Sequence, residues 1–329
     1  MFVLVDEDGA QVAVSKGRLV VKNGSAIEAE YLKHDVEGVI AFGHVEVTRA
    51  ALDLLLKKNA PVHLLSSRGR YLGCLMPQEQ GLPLARVNQY RAFAYEAGKV
   101  PLARAATRAQ LANLHAVVRR WGLRRDDEEV AVAATKIAEL RSMVPDATTL
   151  DELRGLEGRA WKLAYRALGV VLEPYAEFST RQRRPAPDPP NALLSLFGSL
   201  TAGHAASMLR AVGLDPAVGF NHGNSRGGPA LALDLTDIYR PMLCLAPTAA
   251  LLTKRVVGDR DFWPHKGQAL LTREGIRRVL RLYGAACKRE VTGRDGARTT
   301  YLEHMARDAA ALAHALRTPG TEWQPLEVR

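Results

Sequence analysis

Residues 219–241 read GFNHGNSRGGPALALDLTDIYRP. His222 stands in a Gly/Asn/Ser-rich stretch with the composition of a loop. The apolar run that follows carries two carboxylates, Asp234 and Asp237, three residues apart. On a helix that spacing puts both on one face. Leu231 to Leu233 is either a buried strand or the entry to that helix. Two readings of the acids are open. In one, Asp234 is a helix N-cap and Asp237 its capping-box partner, favourable near a helix N-terminus. In the other, one or both join His222 around a hard divalent cation. Mixed imidazole and carboxylate donors on an open site suit Mn2+ or Mg2+ acting on phosphodiesters. The spacing alone is met by chance in many sequences, so the rest of the chain must decide.

Upstream, the periodicity predicts a helix from Thr149 to 172, with Leu153, Leu156, Ala160, Leu163 and Ala167 as its core stripe. Glu157 lies beside that stripe, among Trp161, Ala164, Tyr165 and Leu168. A carboxylate in such surroundings must find a partner or take a proton. Either it pairs with Arg154, one turn back, or it is a further metal ligand. Residues 177–190, EFSTRQRRPAPDPP, form a stiff, basic connector in which Arg181, Arg183 and Arg184 suit phosphate contacts or a solvated loop. Asn191 reads as the N-cap of a helix to Leu209, in which His204 is a packing residue. Downstream, Arg240 follows Asp237 by one turn. A helix over 248–257 contains the basic pair Lys254 and Arg255. Two further helices cover 272–288 and 300–317, and the tail from Thr318 reads as loose.

The first part of the chain has a different character. Phe2–Val5, Val12–Val14, Arg18–Val21, Gly38–Gly43, Pro61–Leu65 and Arg70–Leu75 read as strands, with a hairpin turn at Asn23-Gly24 and one helix capped by Thr48. From Pro83 onward the pattern is helical, over 84–98, 101–121, 128–143 and 149–172, with Gly98 and Gly122 as breaks. The polar, Pro/Gly-containing segment 76–83 is the best boundary. The fold class is therefore α+β: a small β-rich, sandwich-like N-terminal domain (residues 1–78), followed by a larger, mainly α-helical domain (residues 79–329).

At 329 residues and 47% hydrophobic content the chain can bury a sizeable core. No apolar run looks long and charge-free enough to span a bilayer, and the acidic N-terminus is unlike a signal peptide. Three scattered cysteines fit reduced thiols in a cytoplasmic protein, with no zinc spacing. Residues 1–78 hold nine Lys/Arg and nine Asp/Glu, so the entire net charge of +10 arises after residue 78. That asymmetry points to a polyanionic partner for the second domain.

In this order the motifs resemble the CRISPR-associated protein one family. The resemblance rests on residues 38–73 (GVIAFGHVEVTRAALDLLLKKNAPVHLLSSRGRYLG), 84–93 (LARVNQYRAF), 153–165 (LRGLEGRAWKLAY), 183–196 (RRPAPDPPNALLSL) and 213–241 (GLDPAVGFNHGNSRGGPALALDLTDIYRP). It implies a metal-dependent DNA endonuclease and integrase that inserts captured DNA fragments into a CRISPR array by 3′-hydroxyl attack on a phosphodiester. It places Glu157, His222 and Asp237 as the catalytic metal ligands, with Asp234 as a secondary ligand or support. Mn2+ or Mg2+ is the implied ion. Arg181, Arg183, Arg184, Arg240, Lys254 and Arg255 are the expected DNA contacts. The implied partners are double-stranded and branched DNA, a second copy of the chain, and a small ferredoxin-like CRISPR-associated protein. Two other functions fit the same residues: a non-catalytic DNA-binding scaffold whose acids are structural, and a casposase-like transposon integrase. The latter tend to carry an added C-terminal DNA-binding domain, and this sequence ends soon after its last helix.

Overall fold

A computed structural model describes the chain except residues 1, 6, 8, 37, 59, 67–70, 76–82, 184, 224–227, 319 and 329. The expected boundary at 76–83 falls almost wholly outside the described residues. Strands come first: β1 (Phe2–Val5), β2 (Ala10–Ser15), β3 (Arg18–Asn23), β4 (Ala26–Tyr31), β5 (Gly38–Phe42), β6 (Glu46–Val47), β7 (Val62–Leu65) and β8 (Tyr71–Leu75), with α1 (Arg49–Lys57) between β6 and β7. Among the described residues they form two four-stranded sheets, ordered β1-β5-β7-β8 and β4-β3-β2-β6. Thr48 caps α1 by accepting the Ala51 N–H. The Asn23-Gly24 turn joins β3 to β4, with Gly24 at φ +60°. β4, AIEAEY, escapes the sequence reading because it is mostly exposed and Glu-bearing. Its ladder with β3, not its own propensity, makes it a strand.

β5 decides how the strands meet the helices. Its side chains alternate in direction. Val39 and Ala41 join a core shared by both sheets and α1, with Val3, Val12, Leu19 and Leu55. Ile40 and Phe42 point the other way and, with Leu65 of β7, enter the core of the helices. A strand buried on both faces reads as an unbroken apolar run, as GVIAF does.

The helices are α2 (Pro83–Phe93), α3 (Glu96–Arg125), α4 (Glu128–Ser142), α5 (Leu150–Leu172), α6 (Pro189–Ala211), α7 (Ala230–Arg240), α8 (Ala246–Thr253), α9 (Arg273–Cys287) and α10 (Tyr301–Arg317). α3 is the central one, packed on α4, α5 and α7. It runs through both glycines read as breaks. A Cβ at Gly122 would sit 3.3 Å from the Ala131 backbone nitrogen, so this glycine serves the close approach of α3 to α4. Two short hairpins not visible in the sequence pattern, β9 (Phe262–His265) with β10 (Gln268–Leu271) and β11 (Glu290–Thr292) with β12 (Arg298–Thr300), flank α9.

Three expectations are corrected. Asp188, not Asn191, caps α6, by accepting the Asn191 N–H at 2.7 Å. α6 is also long and apolar enough by composition to cross a bilayer. Half of that window is buried within the protein, where α6 packs on α7 and α10, so it reads as a core helix. The tail is docked: Trp323 and Leu326 join the core, and Glu327 pairs with Arg108, Arg141 and Arg294. Leu326 N–H donates to Asp308, and Val328 N–H to Asn113. These holds come from residues distant in sequence, so the tail's own composition gave no sign of them.

The strands and helices also meet through histidines. His63 of β7 packs edge-on against His204 of α6, with ring centroids 5.1 Å apart, and His204 stacks on Tyr283 of α9. Burial pushes the His63 pKa down to about 4. Burial, and then the neighbouring His63, hold His204 well below its ordinary value. Both are neutral when folded and take up protons on unfolding. Their stabilising effect is present above the unfolded pKa, near 6.5, and is lost as pH falls toward the folded values. Urea denaturation between pH 7 and 4.5 is expected to show a steeper acid loss in the parent than in His63→Phe. The difference should approach about 1.4 kcal/mol per pH unit below pH 6.5. Equal slopes would contradict the burial argument.

Candidate active site

Asp234 and Asp237 lie in the middle of α7, whose N-cap position is Pro229. The capping reading therefore fails. Asp234 instead reaches to the loop before the helix. Its Oδ2 accepts the N–H groups of Phe220 (2.7 Å) and Asn221 (3.1 Å), and its Oδ1 accepts the N–H of His222 (2.9 Å). The His222 imidazole adds a fourth contact, Nδ1 to Oδ1 at 2.7 Å. A buried carboxylate so surrounded has its acceptor capacity filled. Gly219 permits the approach: a Cβ there would stand 2.5 Å from Asp234 Oδ2 and 2.8 Å from the Ala230 carbonyl carbon. On the other side, Phe220 packs between Phe93 and Trp323, with centroids 5.9 and 5.8 Å away. The docked tail thus buttresses the histidine loop.

A carboxylate only accepts, so its contact places a proton on His222 Nδ1, and in the neutral imidazole the lone pair is then on Nε2. Nε2 lies 3.6 Å from Asp237 Oδ2. Burial works against charge on His222. The Asp234 hydrogen bond and the charges of Asp237, Asp234 and Glu157 outweigh it and raise its pKa above the ordinary value. The other Asp237 oxygen stands 2.7 Å from Arg240 Nη2. That buried Oδ1 makes the ion pair without a well-aligned hydrogen bond. Arg240 itself lies over the Trp161 ring, 5.9 Å from the centroid.

Glu157 comes from α5, whose core stripe is as the periodicity predicts, with Leu163 only partly buried. Arg154 does not pair with it. Arg154 turns to Asp151 and to the carbonyl and side-chain oxygens of Asn221. Glu157 Oε1 accepts from Gln110 Nε2 and Oε2 from Asn221 Nδ2, both at 3.1 Å. Burial first, and the Asp237 charge second, raise its pKa, against the Gln110 hydrogen bond and the charges of His222 and Arg240.

The structure therefore brings Glu157, His222, Asp234 and Asp237 into one cluster. No three His, Cys, Asp or Glu side chains among the described residues are already arranged to chelate an ion. Two contacts escaped the sequence reading. Gln110 is a buried polar residue on α3, detectable only as a misfit in an apolar stripe. Asn221 adjoins His222 and looked like an ordinary loop residue.

The basic residues separate into groups. Arg181 is partly buried and donates to Gln182, Asn191 and Ser195, tying the connector to α6. Arg183 is exposed, and Arg184 lies outside the described residues. Arg240 is in the cluster. Lys254 and Arg255 are exposed just past the end of α8.

A family model described as CRISPR associated protein Cas1 matches residues 3–285. The chain belongs to the Cas1 family. Among curated relatives, the "CRISPR-associated endonuclease Cas1 3" of Thermus thermophilus is 31% identical over 330 residues, covering 99% of this chain and 97% of that one. The fold matches a solved casposase bound to integration product, with TM-score 0.82 and 22% identity over 100% of this chain and 94% of that one. It also matches a Cas6-RT-Cas1–Cas2 complex chain, with TM-score 0.79 and 24% identity over 99% of this chain and 36% of that one.

In this Cas1-family chain, Asp234→Ala would strip acceptors from three backbone N–H groups and the imidazole. The expected destabilisation is about 3 kcal/mol, read by urea unfolding. An effect below about 1 kcal/mol would show that Asp234 does not hold the loop.

Proposed function

We propose that the chain is a divalent-metal-dependent DNA endonuclease and integrase of CRISPR adaptation. The observation that carries this reading is the convergence of Glu157, His222 and Asp237 from separate elements in a chain of the Cas1 family. The curated Thermus relative is named an endonuclease. The donor chemistry fits Mn2+ or Mg2+. Two carboxylates and an imidazole nitrogen form an N/O set for a hard cation, and Asp237 has a buried oxygen without a hydrogen bond. Glu157 and Asp237 also repel each other, which a cation between them would relieve. Gln110 and Asn221 each take one lone pair of a Glu157 oxygen and leave the other open to a cation, whereas Asp237 would have to share or exchange Arg240.

A cation there would act as a Lewis acid, drawing charge from the attacked phosphate and favouring loss of the hydroxyl proton. In strand transfer a 3′-oxygen bonds to phosphorus as the target strand's own P–O bond breaks, so no energy cofactor is needed. The chain's own residues present the donors, and Asp234 keeps His222 Nε2 turned toward Asp237. Arg240 stands where a phosphate oxygen could replace the Asp237 carboxylate as its partner. Arg183, Arg184, Lys254 and Arg255 supply further backbone contacts to double-stranded and branched DNA, while Arg181 ties the connector to α6. In this reading the working form is a cytoplasmic homodimer, two of which are bridged by a small ferredoxin-like CRISPR-associated partner.

Glu157→Ala, His222→Ala and Asp237→Ala are each expected to abolish Mn2+- or Mg2+-dependent nicking and strand transfer on branched DNA, with DNA binding largely intact. Full activity in any one removes that residue from the site. A parent protein that binds branched DNA but cuts nothing with either ion would be a scaffold.

A further inference from the structure

Asn221 joins the two halves of the cluster. Its Nδ2 donates to Glu157 Oε2 (3.1 Å) and its backbone N–H to Asp234 Oδ2 (3.1 Å). Its carbonyl accepts from Arg154 Nη2 at 2.6 Å, and its Oδ1 from Arg154 Nε at 3.2 Å. The amide orientation follows from the neighbours: a flip would set the NH2 against a guanidinium and the oxygen against a carboxylate. One residue thus reaches α5 at two points and α7 at one, and it is peptide-bonded to His222.

We propose that Asn221, held by Arg154, is a positioning residue that fixes the Glu157 carboxylate relative to His222 as the cation site forms. The inference rests on Glu157 and His222 being ligands, as read above. Glu157 ends a flexible side chain beside a like charge, Asp237. Without a tether it would swing away from the cluster. Gln110 holds one oxygen and Asn221 the other. The tether on the loop side is a neutral amide. It orients the carboxylate by hydrogen bonding while leaving its charge for a cation.

Arg154 shows why that neutrality counts. It lies one helical turn before Glu157, within reach of an i, i+3 ion pair that would consume the Glu157 charge. Asn221 occupies the guanidinium with two oxygens instead, and Asp151 takes its remaining contact at 2.9 Å. The arginine's hold passes to Glu157 through the amide, without its charge. Because Asn221 and His222 are consecutive, Arg154 also sets the spacing between Glu157 and the imidazole.

The test is Mn2+ affinity by isothermal titration of the full-length protein, alongside steady-state strand transfer on branched DNA. Asn221→Leu keeps the volume and removes both side-chain hydrogen bonds. It is expected to weaken Mn2+ binding about tenfold or more, as loss of an outer-shell partner does. kcat should fall with it, while KM for DNA holds. Parent-like Mn2+ affinity in Asn221→Leu, with affinity lost in Glu157→Ala, overturns the clasp and keeps the site. Parent-like affinity in Glu157→Ala overturns the site on which the clasp depends. Should Asn221→Leu fail to fold, Arg154→Met, at a largely exposed residue, reads the same quantity. A several-fold weaker constant supports the clasp, and an unchanged one rejects it.

Discussion

The candidate site hangs on one buried carboxylate. Asp234 gathers the N–H groups of residues 220, 221 and 222 and the His222 ring. It thereby sets the loop conformation, the imidazole tautomer and the direction of Nε2 together. Surrounding features serve this contact. Gly219 removes the Cβ that would block it. Phe93 and Trp323 close on Phe220 from the far side. The docking of the C-terminal tail, which brings Trp323 there, is thus part of the same construction.

Around that anchor, charge is kept high and ordered mainly by neutral groups. Glu157 and Asp237 stand near enough to perturb each other. Glu157 is held by the amides of Gln110 and Asn221, and of the two acids only Asp237 has an arginine on it among the described residues. A site meant solely for stability would neutralise both acids or replace them with apolar side chains, since buried charge is costly. An arrangement that orients carboxylates while leaving charge on them suits a cation and a phosphate, and the family assignment agrees with that chemistry.

Much of this was legible in the sequence, and the rest was hidden for identifiable reasons. The stripe of α5 and the Thr48 cap follow from local periodicity and local hydrogen bonding. Glu157, His222, Asp234 and Asp237 were singled out through the family resemblance, which their order along the chain helps to carry. Their roles were not: the i, i+3 spacing of the aspartates fits a capping box as well as a mid-helix pair, and only the start of α7 at Ala230 separates the two. Arg154 looked like the partner of Glu157 because a helix brings them together, but a loop inserted Asn221 between them. β4 and the tail share this cause, since each is held by residues far away in sequence. The loop segment 224–227, between the histidine and α7, lies outside the described residues.

The central claim is that Glu157, His222 and Asp237 together hold one divalent cation. Anomalous diffraction from crystals soaked in Mn2+ tests it directly. A single peak bonded to His222 Nε2 and to the Glu157 and Asp237 carboxylates is the predicted result. A peak held by other residues, or none here in crystals that still cut DNA in Mn2+, would contradict it.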